Sequence, residues 1–205
     1  MTKLISPHGG YENLKSFQMA QIVYDLNFQF CQKYVTSFKM KEQMEGAGRG
    51  GVQNIGEGSR TSGTSKQSEL RLVNVSRASL DELKLDYEAY LRQRNLPQWN
   101  KEDVRALAVR KLAYVPNRTY TTYMSYLKSD EMAANCILCV INQANFLLDR
   151  QMKALESELA KQGDYKDRYK QVRKQQFLNQ GPSDEEFLKE VGLKRLENGK
   201  VIKDE

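Results

Sequence analysis

Apolar residues recur every three or four positions along three long segments of the chain, about 11–38, 64–96 and 130–161. This spacing places the apolar side chains on one face of an amphipathic α-helix. The polar, glycine-containing segment between the first two, about 39–59, is predicted to be a further helix. No segment alternates polar and apolar residues as a half-buried strand does, and no internal repeat is visible. The pattern therefore predicts an all-α fold with four long helices.

Capping residues predict where several of these helices begin and end. Asn13 or Ser16 is the predicted N-cap of the first helix, and Thr64 forms a predicted capping box with Gln67 at the start of the third. Asn100 is predicted to cap a short helix that reaches about Tyr114 and has Asp103 in its first turn. Ser183 is predicted to cap a short helix in the tail. Gly163 is predicted to end the fourth long helix.

The predicted architecture is an antiparallel up-down four-helix bundle, all-α in class, that occupies residues 1–162. An insertion at about 95–129, between the third and fourth helices, carries the short inserted helix. The charged residues 163–205 are predicted to form a partly helical C-terminal extension. Its helices are expected near Tyr165–Leu178 and Asp184–Leu193.

Residues 46–58, GAGRGGVQNIGEG, contain six glycines and include the spacing G-x-G-x-x-G. A dinucleotide-binding loop with this spacing must follow a strand and open a helix of a βαβ unit, and no strand is predicted here. An RNA-binding Arg-Gly patch is an alternative with a single Arg49 to support it. The favoured interpretation is structural: Gly46 with Gly50, and Ala47 with Gly51, are small residues four apart that allow close packing between helices.

Formal net charge is +6 and the pI is about 9.1, a balance that favours an anionic partner such as RNA or DNA. No run of 18 apolar residues occurs, so we expect no membrane partner. The N-terminus, MTKLISPHGG, lacks the apolar stretch of a signal peptide. Three cysteines, Cys31, Cys136 and Cys139, lie in apolar helical contexts. These features together predict a cytoplasmic protein with reduced thiols.

Three stretches carry a family resemblance: YENLKSFQMA, QMEGAGRGGVQNIGEGSR and RASLDEL. They are similar to motifs of the four-helix-bundle family of bacterial 23S ribosomal RNA intervening-sequence proteins. The accessory variability proteins of diversity-generating retroelements belong to the same family. The matching residues are Gln43, Ala47, Asn54, Ile55, Glu57 and Gly58 in the second stretch, and Ser79, Leu80, Glu82 and Leu83 in the third. Val52 and Gly56 stand where the family usually has proline and alanine.

The resemblance covers roughly residues 11–94 and 130–160. It implies a left-handed antiparallel bundle that assembles into a homo-oligomeric ring, commonly a pentamer. It implies no enzymatic activity and no cofactor. For the retroelement branch it implies binding to nucleic acid or to a reverse transcriptase.

Few residues suggest catalytic chemistry. Cys136 and Cys139 form C-x-x-C within an apolar helix, where buried core thiols are favoured over a metal or redox site. His8, the single histidine, is expected in a loose N-terminus and supplies no base for a nucleophile. Asn54 and Glu57, with Gly58, are predicted to tie the turn after the second helix, by bonding free backbone amides or by pairing with Arg60 or Arg77. We predict no catalytic residue, no metal site and no enzyme; a helical-bundle metalloenzyme would need more histidines.

Basic residues fall into two groups that could contact phosphates. The predicted nucleic-acid-binding residues are Arg49, Arg60, Lys66 and Arg77 on the second and third helices, and Lys166, Arg168, Lys170, Arg173 and Lys174 in the extension. The second group is interleaved with tyrosines that could stack on bases. An ordinary solvated helix face is the alternative. A ring would multiply the charge, because five subunits at +6 would carry about +30.

The sequence thus predicts a non-enzymatic oligomer that binds nucleic acid, or a nucleic-acid enzyme, through basic surfaces without base-specific readout. The alternative is a purely structural or protein-interaction scaffold with no nucleic-acid role.

Overall fold

The computed structural model describes residues 8–180, 184–197 and 199–203. The helices are α1 (Lys15–Tyr34), α2 (Phe38–Thr61), α3 (Lys66–Gln93), α4 (Val104–Leu112), α5 (Asp130–Gln162), α6 (Tyr165–Gln180) and α7 (Asp184–Glu190). Two short 3-10 segments, Tyr11–Asn13 and Tyr120–Lys128, precede α1 and α5. The predicted all-α class is confirmed, because the described residues are mostly helical and contain very little strand.

The chain divides into two compact units, Met1–Tyr165 and Lys166–Glu205. In the first unit, α2 packs against α3, α3 against α5, α5 against α1, and α1 against α2. The connections between α1 and α2 and between α2 and α3 are only a few residues long. The shared core lies where the inner faces of these four helices meet.

An aromatic cluster holds one part of this core together. Phe30 of α1 makes edge contacts with Tyr87 and Tyr90 of α3, each with ring centroids 4.9 Å apart. Residues 133–148 of α5 are buried on most of their circumference, including Cys136, Ile137 and Ile141. Burial of this breadth is expected for the central helix of a core, because other helices cover it on several sides.

Asn27 of α1 is a fully buried polar residue that links three helices. Its Nδ2 donates to the carbonyl of Met44 in α2 at 2.9 Å, and its Oδ1 accepts from the Tyr87 hydroxyl of α3 at 2.9 Å. The Cys31 thiol donates to the same Oδ1 at 3.7 Å. A buried amide is tolerated when its donors and acceptors are satisfied, and the geometry of these bonds specifies how the three helices meet.

The glycine-rich stretch is helical and lies within α2, as predicted. A Cβ on Gly51 would stand 2.4 Å from Leu80 Cδ2 of α3, and one on Gly50 would stand 2.9 Å from Ser79 Oγ. Gly48 meets Tyr24 and Asn27 of α1 in the same way, at 3.2 Å. The glycines therefore permit close approach of α2 to both of its neighbours, and the close-packing interpretation is confirmed.

Gly46 departs from that interpretation. No described atom lies within 4 Å of the position that its Cβ would occupy, so the prediction that Gly46 and Gly50 act as a packing pair is wrong for Gly46. The reason is the register of α2, which turns Gly46 to solvent while Ala47, Gly48 and Gly51 are buried.

Three predicted N-caps are wrong by a few residues. Leu14 precedes α1, without a side-chain cap, and Ser16 instead donates to Gln151 Oε1 of α5 at 2.6 Å. Ser65, not Thr64, caps α3 by accepting from the Ser68 amide. Asp103, not Asn100, caps α4 by accepting from the Arg105 amide at 2.8 Å. Several capping side chains stand near each helix start, and the packing of the helix decides which of them is used.

The insertion folds back onto α5 and α1. At its start, Asn135 of α5 accepts from the Trp99 amide at 2.7 Å and donates to the carbonyl of Pro97 at 2.9 Å. At its end, the carbonyl of Leu127 accepts from both Lys33 Nζ and the Tyr34 hydroxyl of α1, each at 2.8 Å. The insertion is thereby attached to the helices at both ends.

The second unit contains α6, α7 and a small antiparallel hairpin. Leu193–Arg195 (β1) pairs with Val201–Lys203 (β2), which corrects the prediction of no strand. Strands of three residues are too short for alternation to be recognised in a sequence. Gly199, with φ +79°, lies between them and adopts the left-handed backbone that glycine favours. The predicted cap Ser183 lies outside the described residues.

One stretch among the described residues, Asp130–Gln175, which contains α5, is long and apolar enough to cross a membrane by length and composition. Most of its apolar window, 61%, is buried inside the protein. The core helix of a soluble protein meets the same criterion, so the absence of a membrane partner stays a prediction.

Buried thiols make the free energy of unfolding depend on pH in the alkaline range. Burial raises the pKa of the Cys31 thiol from 9.0 to about 12. The folded state therefore keeps the proton while the unfolded chain loses it, so the stabilisation is complete below pH 9 and is lost as pH rises towards 12. We expect this thiol alone to lower the free energy of unfolding by about 2 kcal/mol at about pH 10.5. Urea unfolding across this range measures the loss. The C31A variant should show a shallower decline, and an unchanged decline would contradict the assignment.

Candidate nucleic-acid interface

Four exposed cations share one face of α6: Lys166, Lys170, Arg173 and Lys174. They are separated by steps of four, three and one residues, which places them within one stripe of a helix. Within the described part of the chain, none of the four forms an ion pair. We call these four residues the α6 cationic face.

The composition of α6 favours a helix that carries exposed cations. Lysine, arginine and glutamine are strong helix formers, so the helix does not need an extensive apolar stripe to form. Tyr169, 46% exposed, lies three residues after Lys166 and borders the α6 cationic face. Arg168 is half-buried and, two residues from Lys166, lies on a different side of the helix. Five basic residues and one acid, Asp167, give α6 a positive balance.

Arg49 and Arg60 are exposed on α2. Arg60 donates to the Tyr11 hydroxyl at 3.0 Å and lies over the Tyr11 ring at 5.1 Å from its centroid. Arg49 forms no ion pair with any described residue. Both guanidinium groups therefore keep uncompensated charge at the surface of the first unit.

Lys66 and Arg77 lie in a different environment from the exposed cations. Lys66 Nζ contacts Glu69 at 3.1 Å and Glu158 at 3.2 Å. Both carboxylates raise the pKa of Lys66 against the opposing effect of burial, which is the largest single influence. Arg77 contacts Asp81 at 2.8 Å and also pairs with Asp149 of α5. Carboxylates already neutralise these two cations, so they add little attraction for phosphate.

The turn between α2 and α3 is tied differently from the prediction. Asn54 Nδ2 donates to the carbonyl of Gly50 in its own helix at 2.9 Å, and Glu57 is exposed. Neither Arg60 nor Arg77 pairs with Glu57, because each has a partner elsewhere. Gly58 does have a structural role, since its Cβ would stand 3.3 Å from the carbonyl oxygen of Glu69 in α3.

Asp164, which was not predicted, holds the start of α3. Its carboxylate accepts from the Lys66 amide at 2.9 Å and from the Ser65 hydroxyl at 3.0 Å. A carboxylate at this position satisfies free amides and complements the positive end of the helix dipole. Asp164 lies 98 residues from Lys66 in the sequence, so no local sequence pattern predicts this contact.

His8 is held more firmly than predicted. The adjacent Gly9 amide donates to the carbonyl of Ser59 at 3.0 Å, and the imidazole of His8 would stand 2.7 Å from a Cβ on Gly63. The described N-terminal segment therefore packs on the end of α2. This position corrects the expectation of a loose terminus around His8.

The C-x-x-C thiols are consistent with core packing. Cys136 is fully buried and burial raises its pKa; Cys139 is half-buried, and burial raises its pKa to about 11. Thiols that stay protonated are poor nucleophiles and poor metal ligands. No group of three or more His, Cys, Asp or Glu side chains that could hold a metal occurs in the described part of the chain.

A second basic region was not predicted. The insertion, α1 and α5 enclose a cleft of about 840 Å³ lined by Lys15, Arg110, Arg118 and Arg150. These residues are far apart in sequence, and only the folding of the insertion onto α5 brings them together. The sequence feature that could have indicated this basic region is the basic and aromatic run RKLAYVPNR at 110–118.

Comparison with protein-family models gave no match, and comparisons with curated proteins and with solved structures gave none either.

Proposed function

We propose that this protein is a non-enzymatic nucleic-acid-binding protein that contacts the phosphate backbone through the α6 cationic face. The observation that carries the proposal is the alignment of four exposed, unpaired cations on one side of that helix, within the described residues. Lysine and arginine bind phosphates by charge, and backbone contacts of this kind carry no base specificity. A net charge of +6 adds a favourable long-range field.

The neutral residue Tyr169, between Lys166 and Lys170, supports the same role. Tyr169 presents a partly exposed ring beside the α6 cationic face, where it could stack on an unpaired base. Stacking on aromatic side chains is tolerant of sequence because every base has a flat face. A single-stranded nucleic acid is therefore the ligand that this surface fits best.

We also propose that α1, α2, α3 and α5 form an antiparallel four-helix bundle, in line with the resemblance to the intervening-sequence protein family. The support comes from the cyclic order of their contacts and from the short connections α1–α2 and α2–α3. Assembly into a ring, with a pentamer favoured, is part of this proposal. Exposed Phe28 and Phe38, at 44% and 74%, are apolar surface that a subunit contact would cover. Light-scattering mass of the purified chain measures the subunit number.

Binding to a labelled single-stranded RNA of about 20 nucleotides, followed by fluorescence anisotropy across a salt series, tests the nucleic-acid proposal. Four phosphate contacts per subunit give an expected slope of about −2.8 in log affinity against log salt, so affinity falls about 50-fold between about 50 and about 200 mM. A variant with all four residues of the α6 cationic face changed to glutamine should lose this slope and bind at least about 50-fold more weakly at the lower salt concentration. Glutamine preserves helix propensity, so α6 still forms.

The matched control removes the same number of charges elsewhere. It changes four exposed lysines to glutamine: Lys39, Lys111, Lys128 and Lys153. If both variants weaken binding equally, total charge rather than the α6 cationic face determines affinity. If the unaltered protein does not bind RNA at the lower salt concentration, the proposal is wrong and the scaffold alternative is preferred.

A further inference from the structure

The cleft between the insertion, α1 and α5 has the size and chemistry of a small-molecule site. Its volume of about 840 Å³ falls within the range of ligand pockets. Lys15, Lys101, Arg110, Arg118 and Arg150 line it, and among the described residues no aspartate or glutamate lines it. A cavity wall with five cations and no acids favours an anionic ligand, because low-dielectric walls strengthen the field inside.

Four of the five cations of the cleft are available for a ligand, whereas Lys101 pairs with Glu102. Lys15, Arg110, Arg118 and Arg150 have no carboxylate partner within the described part of the chain. Arg110 is oriented by backbone carbonyls: its Nε donates to Ala106 at 3.3 Å and its Nη2 donates to the carbonyl of Lys101. Carbonyl partners fix the direction of the guanidinium without neutralising its charge.

Two polar atoms in the cleft wall are buried without a hydrogen-bond partner among the described residues: Nε of Arg118 and Oε1 of Gln143. The Gln143 amide orientation is determined, since its Nε2 donates to the carbonyl of Arg110 at 3.0 Å. Leaving a buried donor or acceptor unsatisfied is unfavourable. A rotation of the Arg118 side chain towards a ligand acceptor would remove that cost at Arg118, whereas Gln143 is held in place by its bond to Arg110.

Aromatic side chains at the mouth of the cleft complete the pattern. Tyr114 and Phe146 line it and are 87% and 60% exposed, respectively. Arg150 lies 6.0 Å from the centroid of the Phe146 ring, so a cation and an aromatic face stand together there. An exposed ring beside a cation offers a stacking face to a flat heterocycle.

We propose that this cleft binds a nucleoside phosphate, with the phosphate among the arginines and the base against the exposed rings. Inorganic phosphate would satisfy the cations alone. A nucleoside phosphate also supplies a planar ring for Tyr114 and Phe146. This class of ligand therefore uses both the cations and the exposed rings of the wall. The site lies in the first unit, and the α6 cationic face lies in the second.

Isothermal titration of the full chain with AMP tests the proposal. We expect saturable binding of one AMP per chain, at least ten-fold weaker binding of both adenosine and inorganic pyrophosphate, and at least a ten-fold loss of AMP affinity in R118M. If R118M does not fold, the double variant K15Q/R150Q, which changes two exposed side chains of the wall, takes its place. The glutamine variant of the α6 cationic face is the control and should bind AMP with unchanged affinity.

Three results would overturn the proposal. The first is no AMP binding up to about 1 mM by a folded protein. The second is equal affinity for AMP and pyrophosphate, which would leave no role for the nucleoside. The third is unchanged AMP affinity in the cleft variants, which would place the ligand elsewhere. RNA binding by these variants should be unaffected, so the failure of this site and the failure of the RNA proposal are distinguishable.

Discussion

Replacing Gly51 with valine is expected to lower the free energy of unfolding by about 3 kcal/mol, the upper part of the range for overpacked cores. The first added carbon would stand 2.4 Å from Leu80 Cδ2 and 2.9 Å from Leu80 Cγ. Leu80 is fully buried, so its side chain has no open space into which it can move. For a domain of this size the melting temperature should fall by about 6–12 °C.

The matched control is Gly46→Val in the same helix. A Cβ at Gly46 meets no described atom within 4 Å, and valine has a better helix propensity than glycine by roughly 0.4 kcal/mol. This variant should therefore be slightly more stable than the unaltered protein. Thermal unfolding of both variants gives the comparison. Equal effects at positions 46 and 51 would show that α2 and α3 do not approach each other as closely as described.

Replacing Asn27 with leucine is expected to cost about 3 kcal/mol of unfolding free energy, although the two side chains have similar size. The substitution removes the partner of the Tyr87 hydroxyl, which is fully buried and cannot reach water instead. It also removes the donor to the carbonyl of Met44. The cost comes mainly from leaving a buried hydroxyl unsatisfied rather than from a loss of packing.

A second substitution distinguishes these causes. Adding Tyr87→Phe to the Asn27→Leu variant removes the orphaned hydroxyl and should restore about 1–2 kcal/mol. Asn54→Leu is the control, because the Asn54 amide bonds only a carbonyl of its own helix and should cost less than about 1 kcal/mol. Urea unfolding of the unaltered protein and of these three variants measures the changes in the free energy of unfolding. If the double variant is less stable than Asn27→Leu alone, the hydroxyl bond is not the source of the loss.

The long helices could be predicted from sequence because their apolar period depends on local spacing alone. The close packing at Gly51 could be predicted for a related reason: a glycine inside a helix is costly, and contact with a neighbour offsets that cost. Individual caps were harder, since Thr64 and Ser65 are both competent and only the packing of α3 selects Ser65. The three-residue strands gave no periodic signal at all.

Charged residues were the least predictable from sequence. Lys66 and Arg77 each have one local acidic partner, Glu69 and Asp81, but their second partners lie on α5, far along the chain: Glu158 and Asp149. The same limit applies to the cleft, where Lys15 and Arg150 come from different helices. Long-range pairs depend on the packing of whole helices, which periodicity does not specify. The α6 cationic face could be found because its four residues lie within nine positions of one helix.

The attachment of the insertion at both ends has a consequence for how this region can vary. Asn135 holds it at Pro97 and Trp99, and α1 holds it at Leu127. Because these contacts fix both ends of the insertion to the helices, its exposed positions can be exchanged without altering how α3 and α5 pack, whereas its buried residues, such as Val109, belong to the shared core. Substitutions at the exposed positions can therefore reshape the cleft on a constant framework.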